Sequence, residues 1–150
     1  MTTINRSAIV SYQAKQMYDL VNDIKAYPEF LPWCASSIIL QQTPDEIRAS
    51  LTLTWGGMQK SFTTCNRLQP HKMIEVRLVE GPFHLLEGFW HFESLAENGC
   101  KVILNLEFEF AGRLISFAFG PVFHQMANTL VDAFCKRAKV VYGAKGEAIK

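Results

Sequence analysis

Residues 101–110 read Lys-Val-Ile-Leu-Asn-Leu-Glu-Phe-Glu-Phe, and shortly after them the periodicity of the chain changes for good. Val102, Leu104, Leu106, Phe108 and Phe110 alternate with Lys101, Ile103, Asn105, Glu107 and Glu109. A period of two is a strand with one buried face and one wet face. Between 113 and 142 the apolar positions Phe119, Phe123, Met126, Leu130, Phe134 and Val141 recur at helical spacing, with Arg137 the one polar interruption. That is an amphipathic helix. A straight helix of about 30 residues would span about 45 Å. Pro121 lacks an N–H and crowds the carbonyl one turn back, so Gly120-Pro121 predicts a kink or short break. A one-faced strand followed by a one-faced helix has an economical solution: the helix lies across the concave face of a twisted, curved sheet.

Working outward, residues 46–55 alternate strictly. Ile47, Ala49, Leu51, Leu53 and Trp55 share one face. Gly56-Gly57 then makes a tight turn into a returning strand, 59–68, whose clearest apolar points are Phe62 and Leu68. Residues 72–79 alternate through Ile74, Val76 and Leu78, and Gly81-Pro82 marks another turn. Residues 84–94 place Leu86, Trp90 and Phe92 on one side, and Asn98-Gly99 signals a hairpin. Near the N-terminus, 3–10 is a short strand, and Met17, Leu20, Val21 and Ile24 form a helical stripe that Pro28 ends or bends. The expected order is strand, helix, six strands in hairpin succession, one long helix. This is an α+β chain: a curved antiparallel sheet of about seven strands wrapped around a C-terminal helix, with short helices after the first strand. Residues 1–150 are expected to form one domain.

Composition agrees. At 150 residues and 17.0 kDa, 49% hydrophobic and only 19% charged, the chain has enough core to fold without disulfides or metals, and disorder is excluded. No stretch approaches 18 apolar residues, and the first residues lack a secretory pattern. Cys34, Cys65, Cys100 and Cys135 are widely spaced without a Cys-x-x-Cys pair, which reads as reduced structural thiols of a cytosolic protein. The net charge of +1 argues against nucleic-acid binding by broad electrostatics. Residues 136–150 nonetheless carry Lys136, Arg137, Lys139, Lys145 and Lys150 against Glu147. That is either a solvated helix end or a tail that docks on phosphate.

Catalytic groups are hard to find. His71, His84, His91 and His124 have no metal-ligand spacing, and no nucleophile elbow, phosphate loop or dinucleotide fingerprint is present. The inward faces of the alternating strands are hydrocarbon, whereas Glu87, His91, Glu93, Glu107 and Glu109 lie on the opposite face. Only Lys60, Thr64 and Asn66 offer polar atoms to an interior pocket. An apolar pocket with one or two polar anchors suits a lipophilic ligand. Ala26–Cys34, Ala-Tyr-Pro-Glu-Phe-Leu-Pro-Trp-Cys, is too proline-stiffened for a regular helix or central strand. It is a loop that plugs the core or a lid over a pocket. Gly81-Pro82-Phe83 poses the same choice between a packed cap and an exposed anchor.

Several of these segments carry a family resemblance: Gln16-Met17-Tyr18 through Leu20-Val21-Asn22-Asp23, Tyr27-Pro28 through Phe30-Leu31-Pro32, Gly81-Pro82-Phe83, Phe108-Glu109-Phe110, and Ala133-Phe134 through Arg137-Ala138. In this order, over nearly the whole chain, they resemble the RatA ribosome association toxins and the coenzyme Q-binding proteins of the START superfamily. The resemblance implies a helix-grip fold enclosing a hydrophobic tunnel. It implies ubiquinone as ligand, no required cofactor or metal, and a non-catalytic carrier or chaperone that supports respiration. Its alternative is a toxin that binds the large ribosomal subunit and blocks subunit joining. A cyclase or hydrolase, suggested by older labels of the group, finds no acid–base pair here. On the carrier reading an isoprenoid tail would lie against Leu53, Phe62, Leu86, Trp90, Phe108, Phe123, Met126 and Leu130. Phe30, Leu31, Trp33 and Phe83 would line the mouth and touch a membrane surface transiently. Lys136, Arg137 and Lys139 would meet ribosomal phosphate. The expected state is a monomer in the cytoplasm, peripheral at the inner membrane. The chain departs from the family at Gln13, where relatives carry a capping Ser, and at Pro121.

Overall fold

The computed structural model describes residues 1–96 and 98–143. Every alternating stretch forms a strand, and the seven strands join in one antiparallel sheet. They are β1 (Thr2–Val10), β2 (Cys34–Gln42), β3 (Glu46–Trp55), β4 (Met58–Gln69), β5 (Met73–Glu80), β6 (Phe83–Leu95) and β7 (Gly99–Phe110). The order across the sheet is β1-β7-β6-β5-β4-β3-β2, so β1 closes onto the last strand while the others follow as a meander. β2 is the strand that alternation does not reveal: Ile38 and Leu40 are exposed, and two register shifts interrupt its pairing with β3. Gly56 and Gly57, at φ +55° and +81°, connect β3 to β4 in the two-residue turn their sequence announces. At the other hairpin the loop is longer than Asn98-Gly99 implies. Leu95 pairs with Gly99, Asn98 takes the left-handed φ of +67°, and Gly99 already belongs to β7.

Between β1 and β2 run α1 (Ala14–Asn22), a single 3-10 turn (Ile24–Ala26) and α2 (Tyr27–Phe30). Gln16 Oε1 accepts from the Gln13 N–H at 2.8 Å, supplying part of the cap that a Ser would give. Pro28 does not end a helix. It occupies the first turn of α2, where no N–H is needed, so the stiff segment contains one helical turn.

The C-terminal helix divides into α3 (Arg113–Asn128) and α4 (Leu130–Tyr142). The break falls at Thr129, not at Pro121. Pro121 is exposed, so water can satisfy the carbonyl it leaves unpaired, while Phe119 and Phe123 on either side are buried and hold the helix to the sheet. Thr129 takes φ −100° and ψ −2°, and its hydroxyl donates to the Met126 carbonyl at 2.9 Å. Arg6 of β1 donates to the Asn128 carbonyl at 2.9 Å and pairs with Asp132. Val141, expected on the inward stripe, is 48% exposed, because Val131, Phe134 and Ala138 carry the buried face of α4. α3 and α4 pack against β1 and β7, α1 against α4, β6 and β7, and α2 against β2. The helix therefore covers one side of the sheet's concave face, and a gap remains toward β3–β5.

Candidate functional site

That gap is an apolar chamber of about 110 Å³. Its sheet wall comes from Ala49, Leu51 and Leu53 of β3, Phe62, Thr64 and Asn66 of β4, Val76 of β5, Leu86 and Trp90 of β6, and Leu104 and Leu106 of β7. Its helix wall is Phe123, Met126, Ala127, Leu130 and Phe134. The third wall is Val21, Ile24, Tyr27, Leu31 and Trp33, from the segment that links β1 to β2. The alternation that makes each strand one-faced aims these side chains at one volume.

Nine of the twelve residues expected to hold a ligand therefore converge: Leu31, Trp33, Leu53, Phe62, Leu86, Trp90, Phe123, Met126 and Leu130. Three do not line the chamber. Phe83 is a packed cap and not a mouth or membrane anchor: it is 7% exposed and stacks on Phe110 with centroids 4.5 Å apart. Gly81 makes this possible, since a Cβ there would stand 2.6 Å from Phe62 Cβ. Phe108 is turned into the adjoining aromatic cluster, 4.8 Å from the Phe123 ring. Phe30 packs edge-on against Phe134 at 5.2 Å, outside the chamber. Leu31 is also buried, so of the four mouth residues only Trp33 and Phe30 keep partial exposure.

Alternation also marks Leu51, which shares a face with Leu53, and Leu104 and Leu106, which share one with Phe108. Periodicity alone does not assign Tyr27 and Phe134 to the chamber wall, because which side of α2 and α4 meets the gap depends on their packing. Burial raises the Tyr27 hydroxyl far above the usual tyrosine range, and it donates to the Val21 carbonyl. Phe134 meets Tyr27 at 5.5 Å and Trp90 at 5.3 Å.

No acidic, basic or histidine side chain lines the chamber. Lys60 stays out of it, but Thr64 and Asn66 are both in it, at 7% and 8% exposure. The Thr64 hydroxyl donates to Asn66 Oδ1 at 3.1 Å. Among the described residues no group of three or more metal-ligating side chains occurs.

Arg137 does not extend into solvent as a phosphate contact. It pairs with Glu29 at 2.9 Å and lies 4.9 Å over the Phe30 ring, tying α2 to α4. Lys136 and Lys139 remain exposed on α4, whereas Lys145, Glu147 and Lys150 lie outside the described residues. No described helix is long and apolar enough to cross a membrane.

A seven-stranded antiparallel sheet gripping a broken C-terminal helix around an apolar chamber defines a START-like helix-grip protein. Among solved structures, the ZhuI aromatase/cyclase of Streptomyces sp. R1128 superposes with a TM-score of 0.79 at 16% identity, covering 93% of this chain and 95% of that one. A START superfamily protein of Mycobacterium smegmatis gives 0.71 at 19% identity, covering 93% and 98%. Residues 10–135 match the family described as polyketide cyclase / dehydrase and lipid transport, and the chain belongs to that family. It is 50% identical to the ribosome association toxin RatA of Pseudomonas aeruginosa over 95% of this chain and 99% of that one. It is 27% identical to the coenzyme Q-binding protein COQ10 homolog B of Xenopus laevis, covering 93% of this chain and 59% of that one.

Proposed function

We propose that this protein is a non-catalytic ribosome association factor of the RatA type, which binds the large subunit and hinders subunit joining. The observation that carries this reading is 50% identity to a chain named for ribosome association, along almost the full length of both. The chamber supports a binding role, since its wall offers no proton donor or acceptor suited to acid–base chemistry. Such a role places the protein in the cytoplasm. Lys136 and Lys139 are the exposed cations of α4 offered to ribosomal phosphate, with Arg137 withdrawn into its contact with Glu29.

Co-sedimentation with purified large subunits across a salt series tests this. Binding is expected to weaken steeply with salt, and Lys136→Glu with Lys139→Glu should reduce the slope of log affinity on log salt by about 1.5 to 2. Protein that stays in the supernatant at low salt would overturn the reading. Binding indifferent to both changes would move the contact away from α4.

A second reading, favoured by the chamber and by the coenzyme Q-binding relative, is that the protein holds a lipophilic molecule such as ubiquinone. At about 110 Å³ the chamber is smaller than the roughly 300–1,000 Å³ of ordinary ligand pockets. In this state it has room for a headgroup or a short stretch of tail. A full polyprenyl chain requires a larger volume than this one.

A further inference from the structure

We propose that Asn66, held in place by Thr64, is the hydrogen-bonding anchor of the chamber, and that the ligand it selects is a neutral ring-bearing molecule with a carbonyl oxygen. This rests on the reading of the chamber as a ligand site.

Asn66 carries an amide donor that no described residue accepts from. Asn66 is 8% exposed, and its cross-strand neighbours are Ile47 on β3 and Val76 on β5. Those of Thr64 are Ala49 and Leu78. None of these side chains accepts a hydrogen bond. Asn66 Oδ1 accepts the hydrogen bond of the Thr64 hydroxyl, which orients the carboxamide and leaves the two Nδ2 hydrogens without a partner among the described residues. That nitrogen is not sealed inside the protein, and two polar residues placed there for structure alone are a poor choice on a face that is otherwise hydrocarbon. The donor borders the open volume of the chamber.

The rest of the wall limits what accepts from it. No charged side chain lines the chamber, and the Tyr27 hydroxyl is committed to the Val21 carbonyl. A carboxylate or phosphate would enter with no counter-charge, so fatty acids and phospholipid headgroups are disfavoured. Trp33, Phe62, Trp90, Phe123 and Phe134 line the chamber with aromatic rings, which suit a ring in stacked or edge-to-face contact. The volume approaches the roughly 150 Å³ of an engineered cavity that takes up benzene, so one ring is the natural unit.

The test uses three matched probes on the full chain. Acetophenone carries a ring and a carbonyl, α-methylstyrene replaces its oxygen by CH₂, and benzoate adds a charge. Titrations are followed by the ¹⁵N–¹H resonances of the protein, including the Asn66 side-chain amide. Acetophenone is expected to bind the wild type and shift that amide, α-methylstyrene to bind without shifting it, and benzoate not to bind. Asn66→Leu should weaken acetophenone about tenfold and leave α-methylstyrene unchanged or tighter. Thr64→Val should weaken acetophenone less, because the anchor remains but is no longer oriented. If the two neutral probes bind the wild type equally and the Asn66 amide does not move, the anchor is overturned while the chamber remains a ligand site. If neither probe binds, the ligand reading of the chamber falls and the anchor with it.

Discussion

At the scale of single residues, glycines show what a sequence displays and what it conceals. Gly56 and Gly57 are readable because two glycines between alternating strands demand a turn. Gly88 is not, since it sits in the middle of β6 where glycine has no local reason to be. The reason is its neighbour strand: a Cβ on Gly88 would lie 2.0 Å from the Asn105 carbonyl oxygen and 2.7 Å from Leu106 Cα. Both atoms are backbone and cannot move without disturbing β7. Gly88→Ala is therefore expected to destabilise the protein by about 3 kcal/mol or more. Gly56→Ala meets nothing within 4 Å and suffers only its left-handed φ, so it should lose about 1 kcal/mol. Urea unfolding of the two variants checks this, and equal losses would contradict the close approach. Arg137 teaches the same lesson in reverse. Its place in a basic run suggests a phosphate contact, yet its side chain is 18% exposed and engaged with Glu29 and Phe30.

At the scale of elements, α2 is the shortest α-helix bordering the chamber, four residues long. It is a single helical turn with Pro28 inside it and Pro32 just beyond, yet with the residues that follow it contributes Tyr27, Leu31 and Trp33 to the wall. Its ties to α4 are the Arg137–Glu29 pair, the Arg137 contact with Phe30, and the rings of Tyr27 and Phe30 on Phe134. Glu29 is 64% exposed, so the ion pair itself contributes at most about 1 kcal/mol, and the cation–ring contact a similar amount. Arg137→Ala is expected to lower global stability by about 1–2 kcal/mol and to speed amide exchange chiefly in residues 27–33. Exchange that rises uniformly over the sheet, or not at all, would show that Arg137 does not fasten this wall. Arg137→Lys, which keeps the charge but loses the planar fork, should fall between the two. The prolines of α2 and the periodicity of α4 are visible in the sequence. That they meet through Arg137, more than a hundred positions from Glu29, is decided by the packing of α4 on β1 and α1.

At the scale of the whole molecule, burial couples folding to pH on the alkaline side. The Cys100 thiol, buried where β7 begins, is pushed up from 9.0 to about 11, chiefly by desolvation. The Tyr27 hydroxyl is raised above its ordinary 10.0 for the same reason. Both groups are neutral when protonated, and unfolding returns them to water where they ionise more readily. Their folded values lie above their unfolded ones, so the stabilisation is fully present below about pH 9 and is lost as the pH rises toward 11. Urea midpoints measured from pH 7 to 11 should be level to about pH 9 and then fall, with Cys100→Ala delaying the fall. Midpoints constant to pH 11 would contradict it.

The local elements were written in the sequence, because strand and helix periods follow from which side chains must leave water. Alternation alone therefore marks β3 and β7 and the inward faces that furnish most of the chamber wall. Thr64 and Asn66 stand out only together with Lys60, as the polar residues offered to that interior, and packing alone keeps Lys60 out of it. Tertiary structure decided the rest. It turned Phe83 and Phe108 into an aromatic cluster beside the chamber, placed the helix break at Thr129, and brought β1 onto β7. It also left a volume of about 110 Å³ where the helix leans toward β1 and β7 and stops short of β3–β5. A cavity is what packing fails to fill, and that depends on distances between elements far apart in the chain.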